Sequence, residues 1–280
     1  MADDLDDDFI PDDAFDDAQE ADTESDHDEP VAETDADKNS KKRKRRLRDR
    51  ERFKEKKRIK LASGNGDSAA ERSVAEQSPD ELADYLATLQ SKAYGKLSVL
   101  ELEDMRIPAT SIADTTMWTD SRTLDNFPDF VAKVLPGLRL RLSQKSKSNG
   151  APTLLFLAGA ALRVADIYRA LKDNRLRGDK GGEVAKLFAR HFKVAEHVSY
   201  LRRTKIGSAV GTPGRVGKLL EADALSVSQL SHIILDTFRD AKKRTMLDIP
   251  ETREEVFRTV LGHPAVLQGI KSGKIQVVLL

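Results

Sequence analysis

The sequence predicts an α/β fold, an open parallel sheet with helices on both faces, preceded by a long disordered and charged N-terminal tail. Three observations lead to this prediction. Residues 152–158 form a short, continuous apolar run, typical of a strand buried on both faces of a parallel sheet. From there onward strand-like and helix-like segments alternate, which implies crossover connections. The first 60 residues instead carry long blocks of like charge.

Charge divides the chain into three parts, although the 280 residues contain 47 Lys and Arg against 47 Asp and Glu. Residues 1–37 hold 18 acidic and no basic residues, whereas residues 38–60 hold 15 basic and 3 acidic residues. Blocks of like charge repel themselves and bury too little apolar surface to offset the entropy of ordering. We therefore expect an acidic disordered tail at 1–37, a basic arm and linker at 38–77, and a folded domain at 78–280.

The basic arm has two interpretations, a nuclear import signal and an arm that binds RNA phosphates. Its density of charge exceeds what solubility alone requires. The residues that carry both interpretations are Lys41, Lys42, Arg43, Lys44, Arg45, Arg46, Lys56, Lys57 and Arg58.

The folded domain is predicted to begin with a helix after Ser78. The sequence SPDE at residues 78–81 combines a capping hydroxyl, a proline at the first helical position and a carboxylate three residues after the cap. Gly95 is expected to end this helix. A second helix is predicted over residues 128–142, kinked or interrupted at Pro136.

Strands and helices then alternate. The apolar strand at 152–158 is expected to run into a helix at 160–172. The later predicted elements are helices at 183–191 and 194–203, a strand at 206–210, a helix at 213–221, a short helical turn at 227–230, a strand at 232–236, helices at 250–261 and 264–272, and a last strand at 274–280.

One motif stands where a strand ends and a helix begins, and it comprises Gly211, Thr212, Pro213, Gly214 and Arg215. We expect the Thr212 hydroxyl to cap the helix, and Gly214 to let another backbone approach closely. The free N–H groups at the positive helix end, with an outward-facing Arg215, would form an anion site. This interpretation, an RNA phosphate site, stands beside that of an ordinary strand-to-helix turn.

Composition excludes several other kinds of site. The absence of cysteine excludes a disulfide scaffold, a thiolate zinc site and a cysteine nucleophile, and it fits a reducing compartment. The longest apolar stretch, residues 154–162, is far shorter than the roughly 20 residues needed to cross a bilayer. The five histidines do not have the spacing of metal ligands, so we expect no metal site. We also expect no cofactor, no small-molecule substrate and no membrane partner.

Three segments resemble DEAD-box RNA helicases. The sequence GTPGR at 211–215 is similar to that family's fifth-strand turn, whose threonine, glycine and arginine touch the RNA backbone. Residues 155–167 and 233–239 fall where the family has a strand followed by PTRELA and a strand followed by DEAD. The resemblance implies a degenerate RecA-like, P-loop-type helicase lobe.

Departures from the helicase pattern concern its chemistry. Ala160 and Ala161 stand in place of the threonine and arginine of PTRELA, and Asp236 is followed by Thr237 in place of the second carboxylate. A phosphate-cradling loop is absent, since each Gly-Lys pair is followed by Leu or Ile. We therefore expect Asp236 to be a remnant of a nucleotide site, with no catalytic residue in the chain. The alternative is a divergent ATP-dependent RNA helicase.

The combination resembles the Cms-one ribosomal small subunit homologue family. The residues that carry it are SNGAPTLLFLAGAALRVADIYRAL at 148–171, AVGTPGRVGKLL at 209–220, LSHIILDTFRDAKKRTMLDIPE at 230–251 and SGKIQVVLL at 272–280. The resemblance implies a non-catalytic component of the nucleolar small-subunit pre-ribosome, in the nucleus and nucleolus, with pre-ribosomal RNA and ribosome-assembly proteins as partners in rRNA processing. A chaperone for histones or other basic proteins, acting through the acidic tail, is a further alternative.

Overall fold

The computed structural model describes residues 73–190 and 192–280. The acidic tail and nearly all of the basic arm lie outside these residues, so both stay predictions. The described residues confirm the predicted α/β fold, with one sheet of five parallel strands. The strands are β1 (Leu154–Leu157), β2 (Glu183–Leu187), β3 (Ile206–Gly211), β4 (His232–Leu235) and β5 (Gln276–Leu279), in the spatial order β2-β3-β1-β4-β5.

Ten α-helices accompany the sheet in the described residues, with short 3₁₀ turns at Val74–Glu76 and Ala109–Ser111. The helices are α1 (Pro79–Tyr94), α2 (Val99–Asp104), α3 (Phe127–Val134), α4 (Pro136–Leu142), α5 (Ala161–Leu171), α6 (Asn174–Arg177), α7 (Val194–Arg203), α8 (Pro213–Glu221), α9 (Pro250–Glu254), which continues as a π-helical segment (Glu255–Leu261), and α10 (Pro264–Lys271).

Strand β1 is the centre of the sheet, because it pairs with β3 on one side and with β4 on the other. Its four residues, all apolar, are completely buried. Side chains alternate between the two faces of a strand. Leu155 and Leu157 accordingly join one core with α1, α7, α8, the π-helical segment and α10, while Leu154 and Phe156 join the other core with α3, α4, α5 and α6.

The first helix begins as predicted. The Ser78 hydroxyl accepts a hydrogen bond from the Glu81 N–H at 3.4 Å, and the Glu81 carboxylate accepts one from the Ser78 N–H at 2.9 Å. Gly95 ends the helix with φ at +49°, a conformation that glycine adopts without a Cβ penalty. The folded part begins before the predicted boundary at 78, because Ala75 is fully buried in the core.

One predicted helix is wrong, since residues 183–187 form strand β2. Glu, Ala, Lys and Leu are common helix formers, and they gave this segment a helical pattern. In the structure β2 is an edge strand hydrogen-bonded to β3, with Val184 and Ala185 buried and Glu183 and Lys186 exposed. Tertiary pairing therefore overrides local propensity here.

All the remaining predicted elements except the helical turn at 227–230 agree with the structure apart from their ends. The helix predicted at 128–142 is interrupted at Pro136 as expected, and becomes α3 and α4. Residues 227–230 form a single hydrogen-bonded turn, in which the Leu230 N–H donates to the Val227 carbonyl, and not a helix. Beyond β5 the sheet edge is capped by a short parallel bridge from Ile112 to Val277.

Candidate functional site

The candidate site residues of the folded domain, Gly211, Thr212, Gly214, Arg215 and Asp236, lie at the carboxyl edge of the sheet. Leu157 at the end of β1 stands level with Gly211 at the end of β3 and with Leu235 at the end of β4. The three segments that follow these strands therefore emerge side by side. In open parallel sheets this edge is where ligands bind.

The turn after β3 contradicts the predicted cap. Thr212 is the residue before α8 and Pro213 is its first residue, as expected, but the Thr212 hydroxyl makes no capping hydrogen bond. The Thr212 backbone carbonyl instead accepts from the N–H groups of Arg215 and Val216, each at 3.0 Å. Two donors at this helix start are therefore already paired within the chain, which leaves fewer for an anion.

Arg215 is buried, so the prediction that it faces outward is wrong. Only 6% of the residue is exposed. Its Nη2 donates to the carbonyl of Phe192 at 2.7 Å, and its Nη1 lies 3.1 Å from Nδ1 of His197, whose ring stacks on that of Phe192. Burial lowers the pKa of Arg215. The guanidinium therefore fastens α7 to the start of α8, which is a packing role that its sequence position did not reveal.

Gly214 packs against a side chain of another element, whereas we expected it to pack against another backbone segment. A Cβ built on Gly214 would lie 2.3 Å from Oε1 of Glu255, the first residue of the π-helical segment. A larger residue at this position would require the Glu255 side chain to shift. A negative charge therefore stands against the turn that was predicted to attract phosphate, and phosphate binding by Gly211, Thr212, Gly214 and Arg215 stays a prediction that this geometry weakens.

Asp236 lies directly after β4 and is fully engaged by an arginine of α5. Arg163 donates from Nε to Oδ2 at 2.8 Å and from Nη2 to Oδ1 at 3.0 Å, while only 3% of Asp236 is exposed. The Arg163 guanidinium also lies 4.3 Å from the ring centroid of Phe238. Both carboxylate oxygens thus bind a fixed cation of the chain, in a buried bidentate pair.

Sequence reasoning did not identify Arg163, although a signal was present. Arg163 is in the first turn of the helix that follows β1, and Asp236 follows β4. Because β1 and β4 are neighbours and parallel, the two residues meet at one edge. Ala160 and Ala161 place no polar side-chain atom at the same helix start.

A groove of about 700 Å³ runs from Phe238 along α5 and is lined by several ion pairs. Arg163 binds Asp236, Arg169 binds Asp166 at 2.8 Å, and Arg175 binds Asp173 at 2.8 Å. The cations of this groove are therefore largely neutralised by neighbouring carboxylates. Within residues 73–190 and 192–280, no group of three or more His, Asp or Glu side chains could hold a metal ion, and no helix has the length and apolarity to cross a bilayer.

Two histidines are held neutral by their surroundings. Burial, and then the charge of Arg215, lower the pKa of His197 to about 4. Burial, and then the charge of Arg141, lower the pKa of His232 to about 4 as well. Neutral imidazole lets Nδ1 of His197 accept from Arg215, as its 3.1 Å separation indicates.

We expect the ion pair between Arg163 and Asp236 to show strong energetic coupling. Either Asp236→Asn or Arg163→Gln should lower the free energy of unfolding by about 3 kcal/mol, because the first leaves a partly buried arginine and the second a buried carboxylate without its charged partner. The double variant should cost clearly less than the sum, which a double-mutant cycle by chemical denaturation measures. The exposed pair of Arg169 and Asp166 is the control, and its coupling should stay below about 0.5 kcal/mol. Equal coupling in the two pairs would contradict the buried bidentate geometry.

The free energy of unfolding should fall as the pH drops from 6.5 towards 4. In the unfolded chain His197 binds a proton with the ordinary pKa of 6.5, but in the folded chain only near 4. The unfolded state therefore binds more protons than the folded state in this pH window. At about pH 5, protonation of His197 in the unfolded chain should lower the free energy of unfolding by about 2 kcal/mol relative to neutral pH. His197→Gln should remove that part of the pH dependence, as measured by urea unfolding at about pH 7.5 and about pH 5. An unchanged dependence in the variant would show that His197 titrates normally.

Solved structures that the chain resembles in part include DEAD-box proteins. A DEAD box protein from Methanococcus jannaschii gives a TM-score of 0.35 at 16% identity, over 57% of this chain and 37% of that one. Saccharomyces cerevisiae Dbp5 bound to RNA and ADP BeF3 gives a TM-score of 0.37 at 16% identity, over 56% of this chain and 32% of that one.

Sequence relatives are considerably more similar. Protein CMS1 of Chaetomium thermophilum is 41% identical over 187 residues, which are 66% of this chain and 73% of that protein. Protein cms1 of Schizosaccharomyces pombe is 34% identical over 202 residues, 72% of this chain and 69% of that protein. Human Protein CMSS1 is 32% identical over 181 residues, 64% of this chain and 60% of that protein.

The family model of CMS1, described as a U3-containing 90S pre-ribosomal complex subunit, matches residues 23–280. This match covers the last part of the acidic tail, residues 23–37, and all of the basic arm in addition to the folded part. It confirms the resemblance on which the family prediction rests. The chain belongs to the CMS1 family of U3-containing 90S pre-ribosomal complex subunits.

Proposed function

We propose that this protein is a non-catalytic component of the small-subunit pre-ribosome that binds RNA or ribonucleoprotein during ribosome biogenesis and rRNA processing. Its partners are pre-ribosomal RNA and ribosome-assembly proteins. Membership of a family described as a 90S pre-ribosomal complex subunit supports the setting. The observation that supports a non-catalytic role is the buried pair of Arg163 and Asp236.

Phosphoryl transfer needs a site that stabilises charge at the phosphates. In nucleotide hydrolases a backbone cradle, a lysine, a hydroxyl and a magnesium ion held by a carboxylate provide it. In this chain the candidate carboxylate, Asp236, already has both oxygens bound by Arg163. Releasing Asp236 for a metal ion would leave the partly buried Arg163 without its charged partner, and nucleotide binding would have to offset that loss of free energy. Binding without turnover is therefore the function that this geometry supports best.

We expect the full chain to bind single-stranded RNA equally well with and without magnesium and ATP, and to release no phosphate above background. The measurements are fluorescence anisotropy of labelled RNA and a phosphate-release assay. Asp236→Asn is the matched control, because it removes the one carboxylate that the helicase resemblance marks for magnesium. RNA-stimulated phosphate release that disappears in Asp236→Asn would overturn the non-catalytic proposal in favour of a divergent helicase.

A location in the nucleus and nucleolus follows from the proposed function, and the basic arm would direct it. We expect a fluorescent fusion of the full chain to lose nuclear accumulation when the basic residues within residues 41–46 and 56–58 are changed to Ala, since import signals depend on clustered cations. Lys242→Ala with Lys243→Ala serves as a control on the folded part. Undiminished nuclear accumulation of the arm variant would contradict an import role for the arm.

A further inference from the structure

The amino edge of the sheet, opposite the candidate site, carries a row of basic side chains. They stand on the segments that lead into four of the five strands, and all are exposed. The residues of this amino-edge row are Lys180 before β2, Arg202, Arg203 and Lys205 before β3, Arg141, Lys145 and Lys147 before β1, and Lys274 before β5.

The segments that carry this row are held in place by hydrogen bonds to one another. Asn149 donates from Nδ2 to the carbonyl of Arg202 at 2.9 Å, which joins the segments before β1 and β3. The segment before the remaining strand, β4, accepts hydrogen bonds from residues of the row on both sides. Arg141 donates to the carbonyl of Gln229 at 3.1 Å, and Lys274 donates to the carbonyl of Ser228 at 3.1 Å. These hydrogen bonds therefore connect the segments before β3, β1, β4 and β5.

The charges of the row are not neutralised within the described part of the chain. None of its eight residues forms an ion pair with another residue of 73–190 or 192–280. Cations outnumber the exposed carboxylates of the same edge by two to one, these being Asp179, Glu183, Glu221 and Asp223. The carboxyl edge differs, because there Arg163 is bound by the carboxylate of Asp236.

A small cavity of about 90 Å³ opens within the row, and its lining has the composition of an anion site. Three cations and four neutral polar residues line it, with neither a carboxylate nor an apolar side chain. The lining residues are Arg141, Gln144, Lys145, Ser146, Lys147, Thr153 and Gln229. Lysine and arginine donors with hydroxyl and amide groups are the set that proteins use for phosphate oxygens.

We propose that the amino edge of the sheet binds the phosphate backbone of RNA, with the cavity beside Lys145 and Lys147 receiving one phosphate group. The inference rests on the proposed RNA-binding function and assigns it a surface of the folded part. Five strands at their normal spacing make an edge about 20 Å wide, enough for a short run of nucleotides. A protein partner would need an apolar centre to its interface. The lining of this cavity offers none.

The test measures binding of single-stranded RNA of mixed sequence against salt concentration, using full chains in which all 15 basic residues of 38–60 are changed to Ala, so that the arm carries no positive charge. Into this background we introduce Lys145→Gln with Lys147→Gln, or the matched pair Lys242→Gln with Lys243→Gln from the carboxyl edge. Both pairs remove two exposed charges from loops. Each lost phosphate contact should flatten the slope of log affinity against log salt by roughly 0.7.

The amino-edge pair should flatten the slope by about 1.4, and adding Arg203→Gln and Lys205→Gln should roughly double that change. The carboxyl-edge pair should leave the slope unchanged. Equal effects of the two pairs would overturn the amino-edge proposal while RNA binding itself stands. If the arm-neutralised chain binds no RNA at low salt, the proposal also falls. Binding by the chain with its arm intact then shows whether the proposed function survives.

Binding to an acidic protein segment is the alternative that the same variants exclude. A synthetic peptide of residues 1–37 provides 18 carboxylates and no phosphate. Loss of peptide binding in the amino-edge pair, with RNA binding retained, would overturn the proposal and assign the surface to an acidic partner. Unfolding midpoints of the variants should equal that of the parent, because the four substituted side chains are exposed and unpaired within the described residues.

Discussion

The two-sided pairing of β1 is the constraint on which the other features depend. Its four residues form backbone hydrogen bonds with β3 and β4, and their apolar side chains pack into both cores. None of the strand's surface is therefore exposed to solvent. This burial fixes the register that sets Leu157, Gly211 and Leu235 level. The same register sets the segments that enter these strands level at the opposite edge. Both candidate surfaces are consequences of one strand's position.

The two edges differ in how their charges are used. At the carboxyl edge arginines hold the structure together: Arg163 neutralises a buried carboxylate, and Arg215 joins two helices through neutral acceptors. Such groups are expensive to move, because each leaves a buried charge or a lost hydrogen bond behind. At the amino edge Lys145, Lys147 and Lys205 are exposed and have no ion-pair partner among the described residues. A polyanion can bind them without breaking an existing pair.

Local patterns predicted most of the fold. The box at Ser78, the interruption at Pro136 and the apolar run of β1 each depend on neighbouring residues alone, and each was correct. The helix predicted at residues 183–191 was wrong because strand β2 forms there through pairing with β3, which comes later in the chain.

The candidate site was predicted in position but not in geometry. The spacing of residues 211–215 identified the strand-to-helix turn, yet nothing local indicated that His197 and Phe192 would cover Arg215. The partner of Asp236 could have been predicted more easily, because β1 and β4 are neighbouring parallel strands and the residues that follow them, including Arg163, meet at one edge. Predicting contacts between different elements requires the order of the strands in the sheet, and the pattern of residues did not provide that order.

Gly211 at the end of β3 and Gly217 within α8 have a packing explanation that requires no ligand. A Cβ on Gly211 would lie 2.4 Å from the carbonyl oxygen of Leu187 in β2, and one on Gly217 would lie 2.2 Å from the hydroxyl of Thr259 in the π-helical segment. Gly214 meets Glu255 of the same segment. Gly211 and Gly217 therefore let α8 approach the sheet and the π-helical segment more closely than a larger residue would allow. Because close packing accounts for Gly211 and Gly217, the glycine spacing at this turn does not require a bound phosphate.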